Sequence, residues 1–162
     1  MKNKQYIALF ILIILFSFSL VGQAVDTAVT IVPQKQFVKA VAEDKSDVTV
    51  MIPPGYSPGN YAPRPSELTK FSEAKLYFSM GVPADVQNIL PKVNQFNSDI
   101  KIIKLADLVG EEYENRTFPN GSRDPHIWLS PKRVIYMVKI IRDELIELDT
   151  DNEEFYRNNA EE

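Results

Sequence analysis

The chain has 162 residues, 44% of them hydrophobic and 25% charged, with a formal net charge of -4; length and composition fit one compact domain of ordinary globular type. The absence of cysteine excludes disulfides, iron–sulfur ligation, a thiolate zinc site and a lipid-modified cysteine anchor. The acidic balance, with no run of Lys and Arg downstream of the N-terminus, speaks against nucleic acid as a partner.

Lys2 and Lys4 precede an apolar run from Tyr6 to about Gly22, and small residues follow at Gly22 and Ala24. This is the layout of a secretory signal, with cleavage expected after Ala24, so residues 1–24 are read as a signal peptide. An uncleaved membrane anchor is the alternative, since roughly 17 apolar residues is the lower limit for spanning a bilayer. Either way the rest of the chain is expected outside the cytoplasm. Cleavage would take the formal charge from -4 to -6.

Ala28–Val32 is a β-branched run and reads as a first strand. Pro33 then opens a helix expected to turn Phe37, Val38 and Val41 inward. Glu43–Asp47 is a polar turn, and Val48–Ile52 a second strand. The stretch 53–65 holds five prolines and two glycines, so neither helix nor sheet runs through it. Ser66–Glu73 reads as a helix burying Leu68 and Phe71. Leu76–Phe78 is a third strand, ended by Gly81. Pro83 opens a helix with Val86, Ile89, Leu90 and Val93 at helical spacing, and Ile100–Ile103 is a fourth strand. Strands and helices alternate, which predicts an α/β fold with a four-stranded parallel sheet and right-handed crossovers. Ligands of such sheets bind beyond the carboxyl ends of the strands. The loop 53–65, the turn 79–83 and the segment 105–126 all fall on that edge.

Residues 105–123 read as polar and irregular. Asn115-Arg116-Thr117 and Asn120-Gly121-Ser122 fit the glycosylation acceptor pattern, which implies a surface loop. Glu111, Glu112 and Glu114 read as a solvated carboxylate cluster. Arg123–Pro131 follows, with the only histidine, His126, and the only tryptophan, Trp128. Pro125 and Pro131 bracket it, so an extended course is expected. By itself this stretch fits a packed tryptophan with a hydrogen-bonded histidine as well as it fits a ligand site. Ser130 and Pro131 form a helix start, a capping hydroxyl followed by proline at the first helical position. Val134, Met137, Val138, Ile141, Leu145 and Leu148 then make one apolar stripe. Asp149–Asn152 breaks this helix, and Glu153–Glu162 begins another with Phe155 and Tyr156 as its large apolar residues and little to pack against. No Gly-rich phosphate loop is present, and a single histidine without a GxSxG elbow supports no hydrolytic triad. The chain is read as a non-enzyme.

Asp124-Pro125-His126-Ile127-Trp128-Leu129-Ser130-Pro131 resembles the signature DPHxWLDP of the substrate-binding proteins of zinc/manganese-type metal ABC transporters. Pro53–Pro63 is similar to the PPGxSPHxYEP loop of that family. Ala74–Phe78 with Gly81 is similar to its ADLxFxxG stretch, and Leu148–Asn152 with Tyr156 and Asn159 to its DPxNxxxYxxN segment. The resemblance spans roughly residues 28 to 160 in collinear order. It implies two α/β lobes joined by a long helix, with Zn2+ or Mn2+ bound between them by imidazoles and carboxylates and passed to an ABC transporter permease. On this template residues 25–129 form the first lobe, 130–149 the connector helix and 150–162 the start of a second lobe, whose remainder the chain is expected to lack. His126 takes a metal-ligand position. The family's other first-lobe histidine position holds Gly59, which cannot coordinate through a side chain. Asn60 and Tyr56 are the neighbouring oxygen donors. Ser130 replaces an aspartate, a change expected to act on helix capping. Two alternatives stay open: a truncated product that transports nothing, and a scaffold turned to a non-metal ligand or to adhesion.

Overall fold

The computed structural model describes residues 24–162. The signal or anchor expected over residues 1–24 lies, but for its last residue, outside the described residues. Among the described residues no helix is long and apolar enough to cross a membrane.

The four apolar runs pair into one parallel sheet. Its strands are β1 (Val25–Ile31), β2 (Ser46–Ile52), β3 (Leu76–Ser79) and β4 (Lys101–Lys104), in the spatial order β2-β1-β3-β4. β1 and β3 are central and are buried on both faces, as parallel strands flanked by helices must be. The four-stranded parallel α/β sheet inferred from the sequence is therefore the one observed. The strand ends differ from the expected ones by at most three residues, and Ile52 and Leu76 are ends in both.

Helices α1 (Val32–Ala42) and α2 (Pro65–Phe71) follow β1 and β2. Both begin without a capping hydroxyl. Instead a side chain three residues in reaches back: the Ile31 amide donates to Gln34 Oε1 at 3.0 Å, and the Arg64 amide to Glu67 Oε2 at 2.6 Å. Gln34, fully buried, also donates through Nε2 to the Phe78 carbonyl at 2.7 Å, which ties the start of α1 to β3. Val38 and Val41 point inward as expected, whereas Phe37 is half-buried.

The stretch after β3 departs from a regular helix. Asp85–Ile89 is a π-helical turn, Leu90–Lys92 a 3-10 turn, and only Val93–Phe96 (α3) is α-helical. The wider π turn shifts the register of everything before it. Ile89 and Val93 are buried, but Val86, expected on the same face, is 52% exposed.

Residues 105–112, read as irregular, form helix α4 (Leu105–Glu112). Leu105, Ala106 and Val109 are its buried side chains, and Asp107, Glu111 and Glu112 face solvent. The segment after it is also ordered. Thr117 bridges Arg123, and the Phe118 amide bonds the Ser122 carbonyl across a turn with Gly121 at φ +81°. Asn115 and Asn120 are both exposed there, in keeping with the surface position expected of them.

Ile127–Leu129 is a 3-10 turn rather than extended chain. It leads into α5 (Pro131–Leu148), which buries Met137, Ile141 and Leu145 as the stripe predicted, while Leu148 is 47% exposed. The Ser130 hydroxyl makes no cap hydrogen bond; its carbonyl accepts the Arg133 and Val134 amides instead. The final helix, α6 (Glu153–Glu161), was expected to have little to pack against. It packs on α1 and α5 with Tyr156 fully buried. α1, α5 and α6 thus make one helical layer, and α2 and α3 pack against each other elsewhere on the sheet.

Candidate functional site

The chain runs from β1 outward to β2 and then crosses back to β3 on the other side. The carboxyl ends of β1 and β3 are therefore a topological switch point, where a crevice opens in sheets of this kind. Its floor is a buried polar network. Asp85, at the head of the π turn, is fully buried and accepts from Tyr77 at 2.6 Å, Ser79 at 2.7 Å, the Gly81 amide at 2.9 Å and Thr30 at 3.1 Å. Thr30 Oγ1 in turn accepts the Met80 amide at 2.9 Å. Four donors satisfy the carboxylate without a cation. Burial, with the adjacent Asp85 charge, pushes the Tyr77 hydroxyl well above the ordinary tyrosine range, so it stays a proton donor. This network fixes β1, β3 and the turn 80–85 to one another beneath the crevice.

The wall of the crevice is the segment 116–130. Asp124 and His126 form an Asx-type turn there: Asp124 Oδ1 accepts the His126 amide at 3.0 Å and sits 2.6 Å from His126 Nδ1. These contacts, the backbone N–H first and the ring second, hold the Asp124 carboxyl below the ordinary range. An ionised carboxylate at Nδ1 fixes the proton on that nitrogen and leaves the Nε2 lone pair free. The ring is half exposed and stands between two aromatics, Trp128 with its centroid at 5.0 Å and Phe118 at 6.4 Å. The bland reading of this stretch, a packed tryptophan beside a hydrogen-bonded histidine, describes only part of it. Trp128 is partly buried, but the free nitrogen of His126 belongs to a solvent-accessible ring.

A cavity of about 550 Å³ brings the distant motifs together. Ser57, Pro58 and Gly59 from the loop after β2 line it along with Val82 and Pro83 after β3, and with Phe118, His126 and Trp128. Gly59 and His126 thus open onto one space, as the sequence motifs implied. Asn60 and Tyr56 do not line it. The Tyr56 ring packs on Tyr61 at 4.7 Å and under the Arg64 guanidinium at 5.5 Å. Among the described residues no three His, Asp or Glu side chains converge as a metal shell would require. What this site offers is one oriented imidazole, its carboxylate partner and a largely apolar hollow facing Gly59.

Asp124 is the partner of His126 that the sequence left unassigned. Its signal was available: an acidic residue two before a histidine across a proline is placed for such a turn.

Comparison with known proteins places these features in context. A family model described as zinc-uptake complex component A, periplasmic, matches residues 28–162. The manganese-binding lipoprotein MntA of Halalkalibacterium halodurans is 29% identical over 152 residues, which cover 91% of this chain and 43% of that protein. The manganese ABC transporter substrate-binding lipoprotein PsaA of Streptococcus pneumoniae is 31% identical over 134 residues, 76% of this chain and 42% of that protein. Among solved structures, a crystal structure of ZnuA superposes with a TM-score of 0.76 at 33% identity, covering 85% of this chain and 52% of that one. The chain spans somewhat under half the length of these curated relatives.

Proposed function

The chain belongs to the zinc-uptake complex component A family, and on that premise we propose that it acts as an extracytoplasmic substrate-binding component of an ABC transporter for a divalent metal of the zinc/manganese class, exported from the cytoplasm, working with a permease and carrying out no chemical step. The observation that carries this reading is the orientation of His126. Its Nδ1 is held by Asp124, and its Nε2 is left for a cation at the ligand-binding edge of the sheet. Neutral imidazole suits zinc and manganese alike, and a carboxylate behind the ring raises its basicity. Residues 25–129 are read as the first lobe, 130–149 as the connector helix and 150–162 as the start of a second lobe. The relatives carry roughly as much chain again, and further ligands would come from there.

The metal is cargo, so a small ligand set that releases it is an advantage. Gly59 removes one ligand from the first lobe and shifts the coordination onto His126 and whatever faces it. The test is direct. The purified, metal-stripped chain is titrated with Zn2+ and with Mn2+ by calorimetry, beside His126→Ala and Asp124→Asn. His126→Ala is expected to weaken binding by at least about tenfold, and Asp124→Asn by about tenfold through the lost orientation of the ring. Affinity unchanged in His126→Ala would remove His126 from the ligand role.

A further inference from the structure

Beside the cavity shared with Gly59 lies a second one, about 320 Å³, which also reaches His126 but is lined by Arg116, Asp124, Ser130 and Arg133. An adjoining hollow shares Arg116, Ser130 and Arg133 and adds Lys132 and Glu114. Three cations thus gather in one place on an acidic chain. Lys132 and Arg133 are neighbours in the sequence, and the 116–124 turn brings the distant Arg116 back beside them at the start of α5.

The arrangement is electrostatically lopsided. Lys132 and Arg133 occupy the first turn of α5, which carries no acidic residue. The amide end of a long helix is already positive, so carboxylates are favoured there and cations are not. Among the described residues none of the three cations forms an ion pair with a carboxylate, although Arg116 is near enough to act on the Asp124 charge. Arg133 Nη2 donates to the Glu114 backbone carbonyl, and Lys132 Nζ stands 4.6 Å from the centre of the Tyr113 ring. Arg116 has no side-chain hydrogen bond or ion pair among the described residues, although it lines both hollows. The rim carboxylates are Asp124 and Glu114. Asp124 is occupied by His126, and the cations outnumber the two.

We propose that this cavity binds a small oxyanion, either a phosphate group or the carboxylates of a small organic acid. Two guanidinium groups offer paired N–H donors matched to such a group, and Ser130 Oγ, which caps no amide, supplies a hydroxyl beside them. The cavity borders His126 and Asp124, but its anion binding rests on Arg116, Arg133 and Ser130 and can be measured without metal.

Calorimetric titration of the full, metal-stripped chain with inorganic phosphate and with citrate, at low ionic strength, tests it and distinguishes the two sources. Saturable binding of at least one probe with a Kd below about 1 mM is expected, the tighter probe naming the class. Arg116→Gln should weaken that binding about tenfold, as loss of a charge-assisted bidentate contact does. Arg116 is exposed and makes no side-chain bond, so the variant should keep the native circular dichroism spectrum. Lys132→Gln should weaken binding severalfold, and Lys75→Gln, an exposed lysine outside the cavity, should leave it unchanged. No saturable binding of either probe up to about 10 mM, or an equal loss in Lys75→Gln, overturns the proposal.

Discussion

A side chain at Gly59 would have room. Its backbone lies outside the left-handed region, and the nearest atom to an added Cβ is Ser57 Oγ at 3.3 Å, a hydroxyl that can rotate away from its present bond to the Gly59 amide. The imidazole introduced by Gly59→His would enter the cavity that His126 lines. If His126 is a ligand, a second imidazole in the same space should tighten Zn2+ binding by about tenfold or more, read by competition with a chromophoric chelator. Affinity that does not move, with the fold intact, would mean the two positions do not share an ion. Glu67 makes a different kind of prediction. Burial alone would raise its pKa, but the Arg64 guanidinium and amide and the Tyr61 hydroxyl lower it on balance from the ordinary 4.5. Arg64 is itself half exposed, so the amide and the hydroxyl carry most of the benefit. A depressed folded pKa contributes stability above the unfolded value, and that stability is lost as pH falls through the folded one. Glu67→Gln should therefore cost about 1–2 kcal/mol near neutrality. Thermal melts across pH should show the gap between the two proteins closing in acid.

The turn between β3 and the π-helical segment shows how closely neighbouring elements are fitted. Gly81 has φ +71°, and a Cβ there would lie 2.8 Å from Arg123 Nη2 and 3.5 Å from the Ala106 side chain. Arg123 reaches across from the site wall to Asp107 on α4 at 2.6 Å. Gly81→Ala must therefore strain the backbone and push Arg123 aside, at an expected cost of about 1–2 kcal/mol from the conformation alone. Urea denaturation should show the lower midpoint with an unchanged slope. How legible each element was in the sequence follows from similar local facts. The strands were legible because buried parallel strands are nearly continuous β-branched and apolar runs, as Val48–Ile52 is. α4 was missed because only Leu105, Ala106 and Val109 are buried against a background of Asp, Gly and Glu. Val86 was misplaced because a π turn changes the spacing that a regular helical pattern assumes. At the site, the alternation of strands and helices put His126 at the carboxyl edge of the sheet, the family resemblance paired it with Gly59, and the two line one cavity. The gathering of Arg116 with Lys132 and Arg133 was invisible, since it depends on the path of the 116–124 turn rather than on any spacing along the chain.

The last helix decides whether the described chain behaves as one cooperative unit. α6 returns to the first layer, where Asn159 Nδ2 donates to the Val41 carbonyl at 3.0 Å and Tyr156 is buried beside α1 and α5. The Tyr156 hydroxyl donates to Asp149 Oδ2 at 2.7 Å, and Asn152 donates to the same carboxylate, so the break after α5 and the helix beyond it share one anchor. Burial first, and the Asp149 carboxylate second, push the Tyr156 hydroxyl above its ordinary range, which keeps it protonated and donating. α1 follows β1 directly, and β1 is the strand on which both β2 and β3 pair. A defect under α6 therefore reaches the centre of the sheet through α1. Tyr156→Phe removes one hydrogen bond and should cost about 1 kcal/mol. Tyr156→Ala leaves a cavity against α1 and α5 and should cost about 3–5 kcal/mol, a large share of the roughly 5–15 kcal/mol that holds a domain together. Hydrogen exchange distinguishes the two ways this could happen. If the last helix is integral, Tyr156→Ala lowers protection in β1 and β3 by the same free energy as in α6. If it were an appendage, α6 amides alone would lose protection and the sheet would keep its own.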